Sequence, residues 1–203
     1  MIQTALEAGL RQTMNRLVRP LLHPAIPVAL QRRVISKAYL TSIPPRGTRF
    51  EDIQAEGLSI TRACHSDNPH GVILYFHGGG YIIGSPKTHK GITGHLSKFS
   101  GAMVVTPDYR LAPENPFPAA LDDAEMVYRA LLDDGHPPAT LCLAGDSAGG
   151  GLAVALAMRL RDKGLPLPSS LRELSPWTDL SHQHLYAPEC EPFLQKPWID
   201  KSA

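Results

Sequence analysis

The segment Leu141 to Gly151 reads LCLAGDSAGGG, and it constrains the fold more than any other stretch of the chain. A short apolar run ends at Gly145-Asp146-Ser147-Ala148-Gly149, and a long Ala/Leu/Val-rich segment follows. That order predicts a strand, a sharp turn and a helix, with Ser147 at the apex. A G-x-S-x-G turn of this kind holds its serine in a strained conformation and projects the hydroxyl from the end of a sheet. Gly145 and Gly149 are expected at its flanks because a side chain there would collide with the crowded strand and helix. The helix that follows would aim its first N–H groups, Ala148 included, at the space beside the serine.

About seventy residues upstream, Val72-Ile73-Leu74-Tyr75-Phe76 is a second β-branched and aromatic run, and it stops at His77-Gly78-Gly79-Gly80. Three successive glycines leave backbone N–H groups unobstructed, as stabilisation of an oxyanion requires. An HGGG loop after a strand commonly shares that task with the N–H of the residue after the nucleophile. The expected donors are therefore Gly78, Gly79 and Ala148. His77, Gly80, Gly145, Asp146 and Gly149 are expected to support the motifs. The competing structural reading takes HGGG as a flexible turn and GDSAGG as a phosphate-type glycine loop.

Strand-like and helix-like segments alternate along the 203 residues. Strands are expected at 50–55, 58–64, 72–76, 102–106, 141–144 and 171–174. Helices are expected from Pro116-Phe117-Pro118 through Leu132, and from Ser147 through Arg161 with Gly164 as its stop. This alternation predicts an α/β fold with a mainly parallel sheet covered by helices on both faces. Ligands of such sheets bind outside the C-terminal strand ends, where both glycine motifs fall. Residues 2–19 and 28–40 show helical spacing interrupted by Pro20, Pro24 and Pro27. They are expected to form an N-terminal helical segment over residues 1–44, serving either as a lid or as a docking element, ahead of a main domain over 45–203.

A net charge of +1 implies neither nucleic acid nor a membrane surface as a partner. The apolar runs are too short for a membrane span. The N-terminal MIQTALEAGLRQ lacks the basic start of a secretory signal. Cys64, Cys142 and Cys190 are sparse and widely spaced, which fits a reducing compartment and a cytoplasmic location. Cys142 is expected in the core.

Taken together, the motifs resemble the hormone-sensitive-lipase-like family of α/β-hydrolase esterases. The matching text is HGGGYIIGS from His77, DYRLAPE from Asp108, Phe117-Pro118-Ala119-Ala120, GDSAGGGLA from Gly145, and Ser175-Pro176-Trp177-Thr178-Asp179-Leu180. The resemblance implies hydrolysis of small carboxylic esters with short or medium acyl chains, with no cofactor and no metal. It makes Ser147 the nucleophile. It makes His77 a structural hydrogen-bonding residue, and pairs Arg110 with Asp122 or Asp123.

One expected element is not found. The acid and histidine of such a triad follow the serine on two later strands. Here Asp179, His182 and His184 share one short stretch, too close to converge on Ser147 from separate strand ends. The expectation is thus an α/β-hydrolase domain lacking its last strands, inactive or weakly active, and prone to self-association through an exposed sheet edge. The alternatives are a non-catalytic small-molecule binding module on the same fold, or a partner chain supplying the missing groups.

Overall fold

The computed structural model describes residues 19–23, 25–38 and 43–179, with isolated positions 9, 12 and 16. Helix α1 spans Val28–Ala38, α2 Lys90–Ser100, α3 Ala119–Asp133 and α4 Ala148–Asp162. The strands are β1 Arg49–Ala55, β2 Leu58–Cys64, β3 Val72–Phe76, β4 Met103–Pro107, β5 Leu141–Asp146 and β6 Ser170–Leu174. They form a six-stranded sheet in the order β1-β2-β4-β3-β5-β6. β2 runs antiparallel to β1 and β4, and the pairs β4-β3, β3-β5 and β5-β6 are parallel. Residues 1–8, 10–11, 13–15, 17–18, 24, 39–42 and 180–203 lie outside the described residues, and with them most of the expected 2–19 helix, the end of the expected 28–40 helix, His182, His184 and Cys190.

The β1–β2 hairpin turns at Glu56 and Gly57, which have φ of 52° and 81°. Two successive positive φ values match the twist of the flanking strands and let a two-residue loop close. The remaining strands alternate their side chains between two cores. Val72, Leu74 and Phe76 of β3 meet Val105, Leu141 and Leu143 on the face covered by α3 and α4, which contribute Ala124, Val127, Tyr128, Leu152 and Leu156. Tyr75, Val104, Ala63 and Ala144 face the other side, with Ile92 and Leu96 of α2 packed against them. Burial on both faces is what makes the central strands read as unbroken apolar runs. Cys142 of β5 is only half-buried, not fully in the core, and its thiol donates to the Leu143 carbonyl at 3.4 Å.

Helix α2 was not expected from the sequence. Its large apolar residues are few, Ile92, Leu96 and Phe99, and they are interspersed with the small buried Gly91, Thr93, Gly94 and Ser97. At Gly94 a Cβ would sit 3.0 Å from Pro45 and 3.2 Å from Phe50, so the small residue permits close packing. A short turn, Pro86–His89, leads into it and is fixed by a reciprocal Ser85/Thr88 capping box with proline in its first turn. Among the described residues no helix is long and apolar enough to cross a membrane.

Arg110 chooses Asp123 over Asp122. Its guanidinium bonds both Asp123 oxygens at 2.7–3.1 Å, and the Arg110 backbone N–H adds a further bond of 2.8 Å. The Asp123 side chain is 7% exposed, whereas Asp122 is 52% exposed and pairs with Arg159 at 2.6 Å. Breaking a pair whose carboxylate is buried leaves unsatisfied groups behind, while an exposed pair contributes little. Asp123→Ala is expected to lower the unfolding free energy by about 3 kcal/mol and Asp122→Ala by less than about 1 kcal/mol, measured by urea denaturation. Equal losses in the two variants would contradict this assignment.

Candidate active site

The two motifs meet because their strands are neighbours in register. Phe76 of β3 pairs with Gly145 of β5, so the chain segments after them leave the sheet side by side. On the other flank of β5, Asp146 pairs with Leu174 of β6. The Ser147 N–H donates to the Leu174 carbonyl at 3.0 Å, and the Trp177 N–H donates to the Ser147 carbonyl at 2.8 Å. Three adjacent strand ends thus deliver His77–Gly80, Ser147 and Ser175–Trp177 to one edge of the sheet.

Ser147 stands between β5 and α4 with φ 52° and ψ −120°. A non-glycine residue with positive φ is strained and persists only when its surroundings over-determine it. Here both flanks are locked. A Cβ on Gly145 would collide with the backbone of Gly149, and a Cβ on Gly149 would collide with the Phe76 carbonyl. A Cβ on Gly151 would likewise strike the Trp177 carbonyl, and one on Gly150 would lie 2.9 Å from the Pro176 side chain.

Asp146 ties this turn to the glycine loop. Its Oδ1 accepts from the Gly78 N–H at 2.8 Å and from the Tyr75 hydroxyl at 2.6 Å. His89 Nε2 lies 3.5 Å away, on a side chain only 5% exposed. Burial by itself would raise the carboxyl pKa, but His89, Tyr75 and the Gly78 N–H more than offset it and hold the group below its ordinary range.

This contact corrects one expectation. The Gly78 N–H serves the Asp146 carboxylate and is not free for a reacting oxygen. Among the described residues, the N–H groups of Gly79, Gly80 and Ala148 meet no protein acceptor. Gly79 and Gly80 have φ of 126° and 60°, and the Gly79 carbonyl accepts from the N–H groups of Ile82 and Ile83 at 3.1 and 3.0 Å. Gly80, expected only to support the motif, leaves its N–H as open as that of Gly79.

His77 is fully buried beneath the loop. Its Nδ1 lies 2.9 Å from the Gly78 carbonyl, and its ring stacks on Tyr109 with centroids 4.3 Å apart. The Tyr109 hydroxyl donates to the His77 carbonyl at 2.6 Å. Among the described residues, Nε2 of His77 has no hydrogen-bond partner. Burial first, and then the neighbouring His89, push the imidazole pKa down to about 3. His77 is therefore a neutral pillar of the loop. No described side chain hydrogen-bonds the Ser147 hydroxyl; Asp179 enters the described structure through its carbonyl, which accepts from the Trp177 indole at 2.9 Å.

The N-terminal segment docks on the same edge. Leu22 and Ile35 pack against Ile82 and Ile83 just beyond the glycine loop, with Val28 and Trp177 beside them. Tyr81 approaches Trp177 with ring centroids 6.4 Å apart, and burial raises its hydroxyl pKa to about 12.

A histidine that is neutral when folded and protonates freely when unfolded makes stability fall as pH drops below its unfolded value. Between about pH 6.5 and pH 3, His77 is expected to cost about 1.4 kcal/mol per pH unit. His77→Asn should flatten that part of the stability–pH curve, as measured by urea midpoints across the range. A slope identical in the two proteins would exclude His77 as its source.

The sequence pattern of the α/β-hydrolase fold matches residues 73–202. The chain is 39% identical over 179 residues to the putative acetyl-hydrolase LipR of Mycobacterium tuberculosis (strain ATCC 25618 / H37Rv), an alignment covering 82% of this chain and 57% of LipR. It is 51% identical over 109 residues to an acetyl-hydrolase of Streptomyces hygroscopicus, covering 54% of this chain and 36% of that protein. Among solved structures, a hormone-sensitive lipase from a metagenome library superimposes with a TM-score of 0.89 at 34% identity, over 100% of this chain and 68% of that one. An esterase of the bacterial hormone-sensitive lipase family gives a TM-score of 0.85 at 33% identity, over 95% of this chain and 67% of that one. The chain thus spans little more than half the length of LipR and about two thirds of these structures. By fold, motif order and these similarities, it belongs to the hormone-sensitive-lipase-like family of the α/β-hydrolase fold.

Proposed function

We propose that the chain carries the nucleophile and the oxyanion site of a serine ester hydrolase acting on small carboxylic esters. The observation that carries this reading is the Asp146–Gly78 bond, which fixes the glycine loop against the strained turn of Ser147. In the proposed reaction, Ser147 Oγ loses its proton to a base and attacks the ester carbonyl carbon. The carbonyl oxygen becomes an oxyanion held by the N–H groups of Gly79, Gly80 and Ala148. Collapse expels the alcohol and leaves an acyl group on Ser147, which water then removes. The names of the relatives, acetyl-hydrolase and esterase, support a short acyl group.

The described residues bring no histidine to Ser147. His77 is sealed under the loop and His89 faces Asp146. A serine hydroxyl without an adjacent base is a weak nucleophile, and removing the base of such a triad costs on the order of 10⁶ in kcat. The 203-residue polypeptide is accordingly expected to hydrolyse p-nitrophenyl butyrate barely faster than its Ser147→Ala variant. A fluorophosphonate should label it slowly and at Ser147, as located by peptide mass spectrometry. Labelling scattered over other serines, or turnover far above the uncatalysed background that survives Ser147→Ala, would overturn the nucleophile assignment. Brisk turnover lost in His182→Ala or His184→Ala would place the base on that stretch.

A further inference from the structure

Arg32 of α1 makes four hydrogen bonds to two distant loops. Nε donates to the Ile82 carbonyl at 2.7 Å and Nη2 to the Ala112 carbonyl at 2.8 Å. Nη1 and Nη2 also grip the two Glu114 oxygens at 2.9 and 2.8 Å. These partners lie 50, 80 and 82 residues further along the chain. The Arg32 side chain is 30% exposed, so its bonds to backbone are made largely out of water.

The first of those contacts acts on the glycine loop. Ile82 is fully buried, and its N–H and that of Ile83 both donate to the Gly79 carbonyl. The intervening Tyr81 has φ of 58°, and its carbonyl accepts from the Ala112 N–H at 2.8 Å. A tyrosine holds such a backbone conformation only where neighbouring groups over-determine it. Arg32 takes the carbonyls of Ile82 and Ala112, while the Ala112 N–H takes that of Tyr81. The guanidinium thus closes a ring of hydrogen bonds around the segment that fixes Gly79 and Gly80.

We propose that Arg32 is a positioning residue for the oxyanion loop, acting through the Ile82 and Ala112 carbonyls to hold the Gly79 and Gly80 N–H groups in place. The function of the contact rests on the reading of those groups as oxyanion donors. The planar fork is essential, because a lysine ammonium carries its three donors on one nitrogen and cannot span both carbonyls in fixed geometry. Glu114 is the lesser partner, since its side chain is 57% exposed and exposed ion pairs contribute little.

The test compares Arg32→Ala, Arg32→Lys and Glu114→Gln in the 203-residue chain, by amide hydrogen exchange and by the rate of fluorophosphonate capture of Ser147. Both Arg32 variants are expected to speed exchange at Ile82 and Ile83 by about tenfold and to slow Ser147 capture by about tenfold, as loosened positioning does. Exchange at Gly78, held by Asp146, and at Leu143 in β5 should stay near wild type. Glu114→Gln should remain within about twofold of wild type in both measurements. If Arg32→Ala fails to fold, Arg32→Lys carries the comparison. Uniform acceleration at every amide would reduce Arg32 to a fold-stabilising contact and overturn the proposal, as would Glu114→Gln matching the Arg32 variants. Absence of Ser147 capture in wild type as well would sink the functional reading, while the exchange pattern would still decide the role of Arg32.

Discussion

The Asp146 carboxylate is the contact on which the arrangement at the C-terminal end of the sheet depends. It sits one residue before the strained serine and accepts from Gly78, the first glycine of the loop opposite. Parallel pairing of β3 and β5 brings the two segments alongside, but pairing alone sets only strand spacing and register. The charge-assisted bond adds a fixed distance between the loops. Tyr75 and His89 then surround the same oxygen, so a half-buried charge is compensated and not left isolated.

This arrangement explains a division of labour among three chemically identical residues. Gly78 lies where a Cβ would strike the Asp146 carboxylate, so it anchors. Gly79 turns the chain, with its carbonyl capped by two following N–H groups. Gly80 continues with a positive φ, its N–H without a protein acceptor among the described residues. A run of glycines in the sequence shows that backbone must come close to something. It does not show which N–H is spent on the protein itself, because the acceptor is 68 residues away.

The same distinction marks what could be read from the sequence. β2 and β3 carry β-branched and aromatic runs bounded by turn residues, and their limits were legible to the residue. β4 and β6 were legible to within one residue. The serine turn was legible because Gly145 answers a local steric demand, the backbone of Gly149 four residues on. Helix α2 was not, since it buries Gly91, Gly94 and Ser97, and its short apolar set of Ile92, Leu96 and Phe99 is diluted by glycine and polar residues. The capping box at Ser85 and Thr88, with Pro86 between them, was the available signal for that segment. The choice of Asp123 over Asp122 by Arg110 needed the rotation of α3, which two adjacent aspartates do not reveal.

The long reach of Arg32 has a consequence for the order in which the protein can be assembled as it is made. Helix α1 leaves the ribosome well before Ala112 and Glu114, its partners 80 and 82 residues later. At about 5–20 residues per second, some 80 residues take about 4–16 s to synthesise. Ile35 and the Arg32 Nε have no native site until Ile82 emerges, 50 residues after Arg32, and the guanidinium completes its bonds only when the loop after β4 follows. Until then the apolar side of the helix that carries Ile35 lacks the partners it packs against in the folded chain. The loop after β3 therefore gains its contacts with Arg32 only after the nascent chain has turned back to meet α1.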